Sequence, residues 1–218
     1  MSVEKKVSAI VVNWNGIKFL PACLGSIFEQ SYKNMEVIVV DCASKDESVP
    51  FIKSNYPLTK VIELKQDFGP PYAINLASRQ AQGEYILILN NDVCLPENLV
   101  AEMVEELKKD ENCVINPVEL SFEGEYLRSG WPSWIGSYLF KLIKLKGDRP
   151  FFPSTACCLL SKDLILKYPL NEHLFMYEDT EWGWRLQLNK TKFKVLKDGY
   201  FLHRGSGSED TPYSPRQG

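Results

Sequence analysis

The chain has 218 residues, 24% of them charged and 44% hydrophobic, with a formal net charge of −3. That is enough length for one sizeable core and an ordinary soluble composition. It offers no basic field for a nucleic acid, so no nucleic-acid partner is expected. The N-terminal apolar run, Val7 to Val12, stops at Asn13. It is too short for a signal peptide or a membrane span, and the expected location is the cytoplasm.

The pattern along the first half is an alternation of strands and helices. Val7 to Val12 is the first strand and runs into the polar turn Asn13-Trp14-Asn15-Gly16. Phe19 to Gln30 follows as a helix, with Leu20, Leu24, Ile27 and Phe28 on one face and Pro21 in its first turn. Glu36 to Val40 is a second strand that ends at Asp41, and a helix is expected over about 47–55. Val61 to Leu64 is a short third strand. A helix starts near Pro71 and stops before Gly83.

Tyr85 to Asp92, YILILNND, is the stretch around which the rest is organised: five apolar residues end at two amides and a carboxylate. Such a run reads as a strand buried on both faces. A helix then opens at Pro96, and Cys113 to Ile115 is a further strand. Alternation of this kind predicts a doubly wound α/β/α sandwich around a mostly parallel sheet.

After Pro117 the pattern changes. Glu119 to Ser129 reads as a hairpin around Glu123-Gly124, and Trp131 to Leu145 as an aromatic, lysine-dotted apolar segment. Ala156 to Leu160 is a buried strand, and Leu174 to Gln187 a loop entering a helix. Phe193 to Leu196 and Gly199 to His203 are two last short strands. The second half is therefore a small antiparallel and helical elaboration on the same sheet. One domain is expected over 1–204, with halves 1–117 and 118–204, and a flexible tail over 205–218.

The six cysteines form no C-x-x-C pair and lie mostly in apolar segments, as reduced packing residues do. With only two histidines, a Cys/His zinc site is not expected. Polar clusters follow the apolar strands at Asn13/Asn15, Asp41, Asp67 and Asn90-Asn91-Asp92, and Glu178-Asp179 opens a helix. Two readings fit the clusters. They are turn and capping residues, or they form the ligand-binding edge found at the carboxyl ends of strands in open α/β sheets. No G-x-G-x-x-G follows the first strand and no G-x-x-x-x-G-K-[ST] occurs, which disfavours a dinucleotide oxidoreductase and a P-loop enzyme. An acidic edge suits a metal-bridged diphosphate.

The segments VSAIVVNWNG, LGSIFEQSYKNMEVIVVDCASKD, GEYILILNNDV and FMYEDTEWGWRL, with HRGSGS following, together resemble the family 2 glycosyltransferases of the GT-A fold. The similarity is greatest to the rhamnosyltransferase-like branch. It runs from Val7 to about Ser208 and is weakest over 118–150. The resemblance implies an inverting transfer of a sugar from a nucleoside diphosphate, UDP- or dTDP-linked, to an acceptor hydroxyl. By position, Asn13, Asn15, Asp41, Asp67, Asn75, Asn90 and Asn91 match nucleotide-side positions. Asp92 and His203 match ligands of Mg²⁺ or Mn²⁺. Glu178-Asp179 matches a motif whose aspartate is the catalytic base. A base at a helix N-terminus is held ionised by the macrodipole, and Glu181 and Arg185, four apart, are expected to pair beneath it.

Three departures stand out. The metal motif begins with two amides, Ile74 stands where relatives carry arginine, and Pro70-Pro71 stiffens the loop before it. Trp131, Trp134 and Trp182 are candidate walls of an acceptor pocket, with packing the competing role. Residues 131–146 are a candidate peripheral membrane contact toward a lipid-linked glycan acceptor. Two further readings stay open: a nucleotide-sugar-binding scaffold without turnover, and a sugar-phosphate nucleotidyltransferase. The sugar, the acceptor and the oligomeric state are not encoded in any recognisable motif.

Overall fold

The computed structural model describes residues 4–128 and 152–204. Its centre is a single nine-stranded sheet. The strands are β1 (Val7–Asn13), β2 (Met35–Asp41), β3 (Lys60–Glu63), β4 (Tyr85–Asn90), β5 (Val93–Cys94), β6 (Cys113–Leu120), β7 (Tyr126–Arg128), β8 (Cys157–Ser161) and β9 (Lys192–His203). The spatial order is β3-β2-β1-β4-β8-β6-β9-β5, with β7 paired to β6. β1, β2, β3 and β4 are mutually parallel. β8 runs against both β4 and β6, so β6 and its parallel neighbour β9 share the direction of the first four. Six strands therefore end on the same edge, and only β5, β7 and β8 oppose them.

Helices cover both faces because the strands are apolar on both. Tyr85, Leu87 and Leu89 of β4 point into one core with α1 (Leu20–Phe28) and α4 (Leu99–Leu107). Ile86 and Ile88 point into the other, with α3 (Pro70–Gln80), α5 (Lys162–Lys167) and α6 (Glu178–Leu188). α4 shows the pattern plainly: Leu99, Val100, Met103, Val104 and Leu107 are all buried, one stripe at spacings of three and four. Truncating a fully buried residue such as Leu87 to alanine would cost about 2–5 kcal/mol. A short helix, α2 (Ser48–Asn55), completes the first β-α units.

Several expectations needed adjusting. The last two predicted strands are one, β9, with an irregularity where the step from Pro117 to Val118 on β6 spans Leu196 to Tyr200 on β9. The two-residue β5 and the six-residue α5 lie where no element was expected, because neither is long enough to show a hydrophobic period. Residues 131–146 and the tail 205–218 fall outside the described residues. None of the helices in the described residues is long and apolar enough to cross a membrane.

Candidate active site

The shared edge gathers the polar ends of strands that lie far apart in sequence. Register does this directly: Asn13 pairs with Asp41 across β1 and β2, and Val12 pairs with Asn90 across β1 and β4. Asn13 is fully buried and its amide is the hub. Its Nδ2 donates to Asp41 Oδ1 at 2.8 Å and to Ser44 Oγ at 3.2 Å, and its Oδ1 accepts from Asn91 Nδ2 at 2.8 Å. Ser44 Oγ donates to Asp41 Oδ1 at 2.6 Å, while Asp41 Oδ2 accepts from the Ser44 N–H at 2.9 Å.

Asn15, at a positive φ of 47°, closes the facing turn: its N–H donates to Ser44 Oγ and its Oδ1 accepts from the Lys45 N–H. Gly16 is required by close approach. A Cβ there would stand 2.1 Å from Asn91 Nδ2 and 2.2 Å from Asn13 Oδ1.

Beyond β4 the edge changes character. Asp92 Oδ1 lies 3.2 Å from His203 Nε2, and His203 Nδ1 lies 2.7 Å from Glu119 Oε1. Asn90 Nδ2 is 3.5 Å from the same Nε2. His203 and Glu119 are both buried. Burial works against a charged imidazole here, but the hydrogen bonds to Asp92 and Glu119 outweigh it and raise the His203 pKa to about 9. Arg204 follows, with its N–H on the Asp92 carbonyl and its guanidinium between the rings of Phe19 and Phe122.

The third part of the site is the start of α6. Asn90 N–H donates to the Ala156 carbonyl at 3.1 Å, and neighbouring Thr155 Oγ1 donates to Glu178 Oε1 at 3.4 Å. These contacts link the organising strand to the helix that carries Glu178 and Asp179. Asp179 Oδ1 accepts from the Thr180 N–H. Tyr177, just before the helix, sits at a φ of 62°, a strained conformation for a bulky residue. The expected pair forms: Arg185 grips Glu181 through two bonds of 2.8 and 2.9 Å.

Other residues stand elsewhere. Asp67 occupies the same edge beyond Asp41, accepting from the Gly69 N–H at 2.7 Å as α3 begins. Asn75 is turned inward. Its Nδ2 donates to the Leu170 carbonyl and to Glu172, and its Oδ1 accepts from the Leu170 N–H, so the whole amide is used in clamping that loop. Trp182 is fully buried with Nε1 on the Tyr168 carbonyl at 2.7 Å. Helical periodicity aims it at the core, which corrects its assignment to an acceptor wall. Ile74 is likewise core, so an arginine there would bring a charge into an apolar layer. Trp131 and Trp134 lie outside the described residues. Ser44 and Glu119 were not anticipated, although a lone acidic residue in the apolar stretch CVINPVEL is a readable signal.

The fit to a divalent cation rests on the donor set. Asp92 and His203 offer a carboxylate oxygen and a ring nitrogen side by side. No group of three or more His, Cys, Asp or Glu suited to a metal occurs among the described residues. Two protein donors suit an ion whose remaining ligands are phosphate oxygens and water. A cavity of about 620 Å³ lies at the other end of β6 and β9, lined in part by Glu106, Asp110, Lys190, Lys192 and Lys194. Asp110 pairs with Lys192, and Glu106 with Lys194. None of the edge residues lines it.

A mostly parallel sheet with its polar groups on one edge and helices on both faces is an architecture of the GT-A type. The model of glycosyl transferase family 2 matches residues 8–168, and the chain belongs to that family. Glycosyltransferase GlyG of Streptococcus pneumoniae serotype 4 is 27% identical over 216 residues, 93% of this chain and 71% of that protein. An uncharacterized glycosyltransferase of Haemophilus influenzae is 29% identical over 106 residues, 49% of this chain and 36% of its own length.

Among solved structures, S. aureus TarS 1-349 in complex with UDP superimposes with a TM-score of 0.71 at 21% identity, covering 90% of this chain and 59% of that one. The mannosyltransferase PcManGT from Pyrobaculum calidifontis, in complex with GDP-Man and Mn²⁺, gives 0.73 at 19%, covering 93% and 58%. GalNAc-T7 with UDP, GalNAc and Mn²⁺ gives 0.74 at 16%, covering 93% and 44%. The chain thus spans only about half the length of these solved relatives, and at these identities they establish the fold.

Proposed function

We propose that the protein is an inverting glycosyltransferase that moves a sugar from a UDP- or dTDP-sugar to an acceptor hydroxyl. The observation that carries the proposal is the continuous polar edge from Asp41 through Asn13 and Asn91 to Asp92 and His203. The family match also sets the sugar-phosphate nucleotidyltransferase reading aside. Relatives of the same fold hold UDP or GDP-Man, and two of them Mn²⁺, which is the ligand class this edge suits.

Asp41 supports a pyrimidine base. A carboxylate has about four acceptor positions. Oδ1 already accepts from Asn13 and Ser44, and Oδ2 from the Ser44 N–H, so one is left. The single N3–H of uracil or thymine fills it. Guanine presents two donors on the corresponding edge and leaves one unmatched. Asn15, in the turn after β1, and Asp67, in the loop after β3, are assigned to the nucleotide as well.

Asp92 and His203 would hold Mg²⁺ or Mn²⁺, which when bound neutralises charge growing on the leaving diphosphate. Asp179 accepts the proton of the attacking hydroxyl while Glu178, tied to Thr155, orients the helix start. Attack opposite the departing diphosphate inverts the anomeric centre. Three acidic residues in the first turn of α6 and the Glu181–Arg185 pair keep that helix end fixed.

A thermal-shift panel of nucleotide sugars with and without Mn²⁺ tests the reading. Stabilisation by a UDP- or dTDP-sugar that grows with Mn²⁺ is expected. A response to GDP-sugars alone, or to none, would contradict it. Binding without transfer or donor hydrolysis would point to the scaffold role.

A further inference from the structure

We propose that Glu119 is the positioning residue of the metal site: it holds the Nδ1 proton and the ring orientation of His203, so that Nε2, beside Asp92, is the nitrogen left to a cation. The inference rests on the functional reading above, and it assigns a part to a residue that contacts neither donor nor cation.

The argument begins with strand parity. Side chains alternate across a sheet, so an odd insertion turns every later side chain of that strand to the opposite face. Before the irregularity, Pro117 pairs with Leu196; after it, Val118 pairs with Tyr200. Lys197, Asp198 and Gly199 are therefore extra on β9, an odd number. Glu119 consequently pairs with Phe201, and His203, two residues further on, falls on the same face as both. With regular pairing His203 would point through the opposite face. Gly199 belongs to this device: a Cβ there would lie 2.3 Å from Leu196 Cδ2.

The chemistry is consistent with that placement. Cys113 and Ile115, which share this face of β6, are apolar and packed in the core, as is Phe201 across from Glu119. A carboxylate among them is costly unless it is paired, and its partner is the ring nitrogen of His203 at 2.7 Å. Both ring nitrogens face a carboxylate, Nδ1 that of Glu119 at 2.7 Å and Nε2 that of Asp92 at 3.2 Å; a cation held by Asp92 would take the place of the Nε2 proton, and the shorter, buried contact to Glu119 keeps the proton on Nδ1. A ligating histidine held by a carboxylate in this way has a fixed tautomer and ring orientation.

The test uses the full chain and Mn²⁺ alone, with free Mn²⁺ followed by its paramagnetic resonance signal. Glu119→Leu fills similar space without an acceptor and should weaken Mn²⁺ binding about 10–100-fold. Glu119→Gln keeps an oxygen acceptor for the Nδ1 proton and should bind within a few-fold of wild type. In a His203→Ala background, Glu119→Leu should have no further effect.

Equal affinity of Glu119→Leu and wild type, or an undiminished loss in the His203→Ala background, would overturn the inference. If Glu119→Leu does not fold, ring ¹⁵N spectra of the Mg²⁺-saturated protein decide. With His173→Asn as background only one imidazole remains, and its proton must be on Nδ1; a proton on Nε2 overturns the proposal. Failure of Asp92→Ala and His203→Ala to change Mn²⁺ affinity would instead remove the metal-site reading itself.

Discussion

The two halves of the candidate site are built differently. On the donor side, Asn13, Asp41, Ser44 and Asn91 are locked to one another at the ends of parallel strands, with Asn13 and Asp41 almost wholly buried. On the side of α6, the chain approaches Glu178 through Phe175, Met176 and Tyr177, all exposed, and Trp184, six residues beyond Glu178 on the helix, is exposed as well. A satisfied network at strand ends is preorganised and costs little to order when a ligand arrives. Under the proposed function, donor recognition would reside in the sheet.

Substitutions can break that comparison at both ends. The largest effect is expected from Asp179→Asn, which should lower kcat by about 10²–10⁴-fold, the usual contribution of a general base. UDP affinity should stay at the wild-type level. A wild-type rate would remove Asp179 from the base role.

Asp92→Ala should abolish the part of UDP binding that depends on Mn²⁺ and leave the metal-independent part. Calorimetric titrations that match wild type with and without Mn²⁺ would contradict this. Gly16→Ala acts within the nucleotide pocket itself. Its Cβ must displace Asn91 or Asn13, at a cost of about 1–3 kcal/mol for an overpacked site. The donor KM should rise while the acceptor KM stays unchanged; the reverse split would place Gly16 on the wrong side of the comparison.

The smallest effect belongs to Trp182→Phe. Loss of the bond to the half-buried Tyr168 carbonyl should cost about 0.5–1.5 kcal/mol of stability, visible as a lower Tm. Neither KM should change, since the ring reaches no ligand; an altered acceptor KM would restore Trp182 to the acceptor pocket.

How much of this could be read from the chain alone follows from the range of the signals. Apolar runs that stop at Asn13, Asp41 and Asn90 mark strand ends locally, and the β-α alternation makes those strands parallel, so the polar edge is legible. The pairing of His203 with Glu119 was not, because it depends on an odd insertion between paired strands distant in sequence, which no local period reveals. Asn75 misled for a related reason: its type and place suited a ligand contact, yet the loop at Leu170 and Glu172 takes its whole amide. Trp182 obeyed helical periodicity, and the packing role followed from that period once the buried face of α6 was known.

The central claim is that one cleft at the strand ends holds an activated sugar and a cation. A crystal structure of the protein soaked with UDP and Mn²⁺, with the metal located by its anomalous signal, tests it most directly. The account predicts a manganese peak within coordinating distance of Asp92 and His203, diphosphate oxygens on the same ion, and the uracil N3–H on Asp41. Manganese and nucleotide seated instead in the lysine-lined cavity at the other end of β6 and β9 would contradict it.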